Sequence, residues 1–136
     1  GWTINRKRAM GILQREAELD ELVRLVGVDS LAPEDRLLMQ AAKVLREDFL
    51  HQNAFDERDT YTPLEKQFRL LQLILRYYDT ARNSFAEGGM LESLLRLEVL
   101  DDIARAKLIP VDNMDEFDRL EQKISDSVSA ITESEK

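Results

Sequence analysis

Apolar side chains recur at three- and four-residue steps along almost the whole of this 136-residue chain, and little interrupts them. Ile12, Leu13, Leu19, Leu22, Val23 and Val26 keep that spacing in the first segment, with charged pairs such as Arg15-Glu16 and Asp20-Glu21 between them. Five glycines and three prolines are too few for the many turns of an all-β chain. No stretch of useful length alternates with the period of a strand, and no internal repeat is present. The pattern predicts an all-α fold, an irregular helical bundle of five to six helices in one domain.

The punctuation places the elements. A first helix runs from about residue 4 to Val26, where Gly27 ends it as a C-terminal cap. A second starts near Pro33, with Glu34 and Asp35 suiting the positive end of the dipole. Its core face is Leu37, Leu38, Ala41, Val44, Leu45 and Phe49, and it fades near His51. Residues 52–61 lack any period and read as a connecting loop. Thr62-Pro63-Leu64-Glu65 is a helix-start signal, followed by Phe68, Leu71, Leu75, Tyr78 and Phe85 up to Gly88-Gly89. A shorter helical stretch covers Met90–Lys107 with a break near Leu97, and Pro110 closes it. Asn113 and Glu116 open the last helix, whose face is Phe117, Leu120, Ile124, Val128 and Ile131. The helical domain is expected over residues 1–131, with Thr132–Lys136 as a frayed tail. A helix already under way by residue 3, without a capping residue, is expected of a piece of a longer chain.

Composition narrows the partners. A chain of this length can bury roughly two-thirds of its unfolded surface, and 43% hydrophobic residues supply a core. The net charge of −8 repels phosphate backbones, so no nucleic-acid partner is expected, whereas a basic protein partner is permitted. The lack of cysteine removes disulfides and thiolate chemistry and suits a cytoplasmic compartment. No run of 18 apolar residues exists, so no direct membrane insertion is expected, and membrane association would come through partners.

Catalytic material is sparse. His51 is the single histidine, which rules out a multi-histidine metal site, and a lone histidine at a helix end reads as a surface or capping residue. No G-x-x-x-x-G-K-[ST] or G-x-G-x-x-G run cradles a phosphate. Asp56, Glu57 and Asp59 lack the glycine and terminal glutamate of a calcium loop. Glu47-Asp48 and Asp101-Asp102 are adjacent pairs that diverge around a helix. No catalytic residue and no metal ligand is therefore assigned. Tyr77, Tyr78, Phe68 and Phe85 stand at helical spacing and read as core. Phe55 is different, because it lies in the aperiodic loop beside Gln52 and Asn53. It can be a lid on the bundle, or it can stack on a planar ligand whose edge the amides read.

Two stretches resemble a known family. Leu25-Val26-Gly27-Val28-Asp29-Ser30-Leu31-Ala32-Pro33-Glu34-Asp35 resembles the segment of rotary ATPase catalytic subunits that carries an acidic DELSEED-type loop between two helices. Arg46-Glu47-Asp48-Phe49-Leu50-His51-Gln52-Asn53-Ala54-Phe55-Asp56-Glu57, followed by Asp59-Thr60-Tyr61, resembles the F-L-x-Q-N-A-F-D-E-x-D-x-Y run of the V/A-type catalytic (alpha) chain. Arg8-Ala9-Met10 with Ile12-Leu13 agrees as well. The similarity covers most of residues 5–110 and is strongest at 46–61.

The resemblance implies the C-terminal helical domain of a catalytic chain that also has an N-terminal β-barrel and a central P-loop domain. It implies that Phe55 packs on adenine, with Gln52, Asn53 and Ala54 lining the same pocket. It implies that Asp29, Ser30, Leu31, Ala32, Pro33, Glu34 and Asp35 face the central rotor stalk, and that the domain swings inward when nucleotide binds. Ser30 and Ala32 depart from the acidic pattern, so steric contact through Leu31 and Pro33 stands as an equal alternative to contact through charge. The implied partners are the rest of the catalytic subunit, the noncatalytic subunit, the central stalk and an adenine nucleotide. ATP or ADP with magnesium would be held by the parent subunit, and no cofactor by the isolated domain. The expected location is cytoplasmic, peripheral to the membrane through the ATPase complex. The alternative function is a free-standing all-helical adaptor that binds partner helices, with no nucleotide role for Phe55.

Overall fold

The computed structural model describes residues 1–50 and 64–134. Helix α1 (Trp2–Val26) ends at Gly27, whose φ of 85° is open to glycine at no steric cost, and whose N–H donates to the Val23 carbonyl. A short 3₁₀ turn (Val28–Ser30) leads into α2 (Pro33–Val44), with proline in its first turn and Glu34 and Asp35 beside it. The helical path then widens into a π segment, Leu45–Leu50. Within this segment Leu45 and Phe49 are buried and Asp48 is half-buried.

Helix α3 (Leu64–Ala86) runs through the middle of the bundle. Leu70, Leu71, Leu73, Ile74, Leu75, Tyr77, Tyr78 and Ala81 are all buried, on more than one face of the helix. A helix that is apolar around most of its circumference must be enclosed by others. Its most extensive contact is with the last helix, and α2 and α1 cover further faces. Two short helices follow, α4 (Leu91–Leu95) and α5 (Val99–Arg105), separated at Arg96–Glu98 beside Leu97. Turns at Ala106–Leu108 and Val111–Asn113 lead to α6 (Asp115–Ser134). Six α-helices and no strand are present among the described residues, an all-α bundle. None of these helices is long and apolar enough to cross a membrane.

Polar groups inside the bundle are partnered. Tyr77 is fully buried and its hydroxyl donates to the Leu94 carbonyl at 3.0 Å, which ties α3 to α4. Burial pushes its phenol pKa up, so it stays a neutral donor. Glu16 is buried on α1, and Arg46 of the π segment binds it through two nitrogens, Nε at 3.0 Å and Nη2 at 2.8 Å. This fork raises the Arg46 pKa and fastens the π segment to α1. Ser84 and Thr132 share a buried hydrogen bond between α3 and α6, and Thr132 also donates to the Val128 carbonyl at 3.0 Å.

Most of the periodic residues meet the core, but the ends differ from the sequence reading. Leu22 and Val26 keep the helical spacing of the buried Ile12 and Leu19 and yet are 43% and 51% exposed. Thr132, expected in a frayed tail, is buried and hydrogen-bonded, and α6 is helical to Ser134. A hydroxyl facing Ser84 anchors that last turn. The helix-start residues Thr62 and Pro63 lie outside the described residues.

Two outcomes are expected. Gly89 donates its N–H to the Ser84 carbonyl at 2.8 Å, and a Cβ there would lie 2.2 Å from Ser84 Oγ. Gly89→Ala should therefore displace Ser84 from Thr132 and cost about 1–3 kcal/mol, read as a lower thermal midpoint. Asp48 is pushed up to about 6, first by burial and then by Glu47, with Lys107 and Lys43 pulling the other way. Folding thus favours its neutral form: the penalty is absent below the unfolded pKa, grows as pH rises through the 4–6 window, and is complete above it. Asp48→Asn should remove that loss and, after discounting for solvent access, gain about 1 kcal/mol at pH 7. Urea unfolding at pH 4.5 and 7 should show the variant's advantage only at the higher pH.

Candidate functional site

Gln52, Asn53, Ala54 and Phe55 lie outside the described residues, and so does His51. The flanks of that segment are described. The π segment reaches Leu50, α3 starts at Leu64, and both residues line one open groove with Trp2, Leu13, Leu45 and Phe49. Its volume is about 350 Å³, mostly apolar, with Arg6 and Gln67 as polar wall groups. The floor is aromatic. Trp2 meets Phe49 edge-on at 6.5 Å between centroids and Phe68 at 6.2 Å, and the Arg6 guanidinium lies 5.7 Å from the Trp2 ring. Phe49 joins the groove to the core, since it lines the one and belongs to the other. Nothing in the sequence pattern singled out Trp2. A tryptophan at the start of a periodic stretch carries no signal that Phe49 and Phe68 will close around it.

A second, more polar groove of about 350 Å³ opens between the α2–π stretch and the α4–α5 turn. Lys43, Glu47, Asp48, Arg96, Glu98 and Asp101 line it. Glu47 and Asp48 diverge, one exposed and one half-buried, so they make no shared acid/base pair. Asp101 and Asp102 also part: Asp102 pairs with Arg105 at 3.0 Å and with Lys123 on α6. Among the described residues, no group of three or more His, Cys, Asp or Glu side chains could hold a metal ion.

The hairpin between α1 and α2 is fully described. Ser30 Oγ donates to the Val26 carbonyl at 2.9 Å and the Leu31 N–H to the Val28 carbonyl at 3.1 Å, which closes a tight turn after Gly27. Asp29, Ser30, Ala32, Pro33 and Glu34 are exposed, and Asp35 is half-buried, 3.9 Å from Arg15. Leu31 points the other way. At 5% exposure its side chain is buried while its neighbours in the turn are exposed. The exposed apolar groups of this end are Leu25 and Val28 instead, with Leu22 and Val26 beside them. The structure thus gathers the hairpin residues in one turn, while the groove lies at the first turns of α1, near the other end of that helix.

Comparison with known proteins agrees with this architecture. Residues 1–95 match the family model described as the C-terminal domain of V and A type ATP synthase. The chain is 48% identical over 130 residues to a V-type ATP synthase alpha chain of Clostridium botulinum, covering 96% of this chain and 22% of that protein. It is 47% identical over 131 residues to the V-type ATP synthase alpha chain of Acetivibrio thermocellus, with the same coverage. With that of Thermoanaerobacter pseudethanolicus it shares 42% over 132 residues, 97% of this chain and 22% of the relative. The chain therefore spans about a fifth of the length of the relatives it matches. On the family match and these identities, the chain belongs to the C-terminal domain family of V- and A-type ATP synthases.

Proposed function

We propose that this helical domain works within the catalytic chain of a V/A-type ATP synthase, closing the adenine side of the nucleotide site and contacting the central rotor stalk. The observation that carries the nucleotide half is local. The Gln52-Asn53-Ala54-Phe55 run follows one residue, His51, after Phe49 and Leu50, where the π segment is fixed by a core phenylalanine and by the Arg46–Glu16 fork. A loop rooted so firmly at its start can present an aromatic ring to a planar base while the amides meet its edge.

The chemistry of phosphate transfer belongs to the rest of the subunit. The chain has no P-loop sequence, and among the described residues nothing converges to hold magnesium. ATP or ADP with magnesium is bound by the parent subunit, and this domain contributes one wall. Stacking on one face of adenine supplies about 1–2 kcal/mol, enough to tune affinity and too little to hold a nucleotide alone.

The mechanical half follows from rigidity. A bundle threaded by a buried helix moves as a unit, so a small closure at the nucleotide wall displaces the distant α1–α2 hairpin. The hairpin Asp29, Ser30, Leu31, Ala32, Pro33, Glu34 and Asp35 faces the stalk, with Leu31 buried and Asp35 half-buried behind the exposed residues. The noncatalytic subunit and the rest of the catalytic subunit flank the domain. The complex sits at the cytoplasmic side of a membrane and couples ATP hydrolysis or synthesis to ion transport.

Phe55→Ala in the assembled enzyme should raise the apparent KM for ATP about 5- to 30-fold, the equivalent of the stacking energy. Steady-state hydrolysis over a range of ATP concentrations checks this. An unchanged KM would remove the adenine role and leave Phe55 as a lid on the bundle.

A further inference from the structure

Glu16 is the one buried carboxylate among the described residues. Its side chain is 10% exposed, while that of Arg46, which meets it through Nε at 3.0 Å and Nη2 at 2.8 Å, is 50% exposed. Such a pair is weak evidence of stability. Taking a carboxylate out of water costs much of what the pairing returns, and apolar side chains of similar size often serve as well. What a fork adds over apolar contact is geometry, because two parallel bonds accept one placement of the partner where an apolar surface accepts many.

The part so placed is the π segment, which packs mainly on α2, α3 and α5. Two side-chain contacts tie it to α1 as well. The Trp2 ring meets Phe49 with 6.5 Å between centroids, and Glu16 holds Arg46. Trp2 and Glu16 stand 14 residues apart in one helix, about 21 Å along its axis. A six-residue segment held at two points so far apart cannot turn about its own axis, as one pinned at a single point can. The segment ends at Leu50, and with His51 between, the chain runs on into Gln52, Asn53, Ala54 and Phe55. Widened helical turns recur at functional sites.

We infer that Glu16 and Arg46 are positioning residues for the nucleotide wall, the fork setting the angle at which the π segment hands the chain on toward Phe55. The inference rests on the adenine reading of Phe55 and names the residues that act through it. Their effect falls on the KM for ATP and spares kcat, since phosphate transfer belongs to the rest of the subunit.

The test is made in the assembled enzyme, with two variants that keep the fold by different means. Arg46→Lys leaves Glu16 a cation but removes the planar fork, which an ammonium does not reproduce. Glu16→Met with Arg46→Met replaces the pair by apolar side chains and should melt at or above the wild type. Both should raise the KM for ATP about three- to tenfold, with kcat within about twofold of the wild type. Neither should raise KM further once Phe55→Ala is present, because groups that act through one another do not add. Should the methionine pair fail to assemble, Arg46→Lys decides alone. If Phe55→Ala raises KM and the fork variants keep the wild-type value, the fork only holds the bundle together, and this inference fails while the adenine wall stands. If the fork variants multiply the effect of Phe55→Ala, they act elsewhere, which also overturns it. If Phe55→Ala itself changes nothing, the adenine wall fails and this inference with it.

Discussion

The bundle depends on enclosing α3. Eight buried apolar side chains distributed around a 23-residue helix cannot all face one neighbour, so α1, α2 and α6 must pack around it together. Each of the other helices then needs only one apolar face, and their outer faces take the charges that give the chain its acidity. The hydroxyl of Tyr77 shows how strict the enclosure is. Buried completely, it must find an acceptor, and the Leu94 carbonyl it takes fixes the short α4 against α3.

Around that axis, the polar contacts act as fasteners at the rim. The Glu16–Arg46 fork joins α1 to the π segment, and Ser84 with Thr132 joins α3 to α6. Neither is a large source of stability, since a half-exposed guanidinium is well screened. Their effect is to settle register. Arg46 holds the start of the π segment against α1.

Much of this was legible in the sequence because helices announce themselves by period and punctuation. Gly27, Pro33, Gly88-Gly89 and the break near Leu97 mark the ends that the structure has. The candidate functional surfaces rest on another signal, the family resemblance carried by the run of neighbours at 46–61 and by the hairpin around Asp29, and they belong to the proposal. Periodicity failed where it had to fail. Leu22 and Val26 keep the spacing of a core face, yet no described neighbour extends far enough to cover them, and Leu31 in a loop of polar neighbours is drawn inward. Spacing reports which side of a helix is apolar, and says nothing about how far the adjoining helix reaches.

By itself, then, the sequence determined the all-α class, most of the helix starts and stops, and a membership in the V/A-type family that short-range patterns can carry. These are properties of neighbouring residues along the chain: backbone period, capping and glycine freedom. Only the tertiary structure decided that the helical path after α2 widens into a π turn, that Phe49 and Phe68 meet Trp2 beside a groove, and that the end of α1 leaves Leu22 and Leu25 exposed. Each of these depends on distances between residues far apart in the chain, which are set when side chains of different helices compete for the same space.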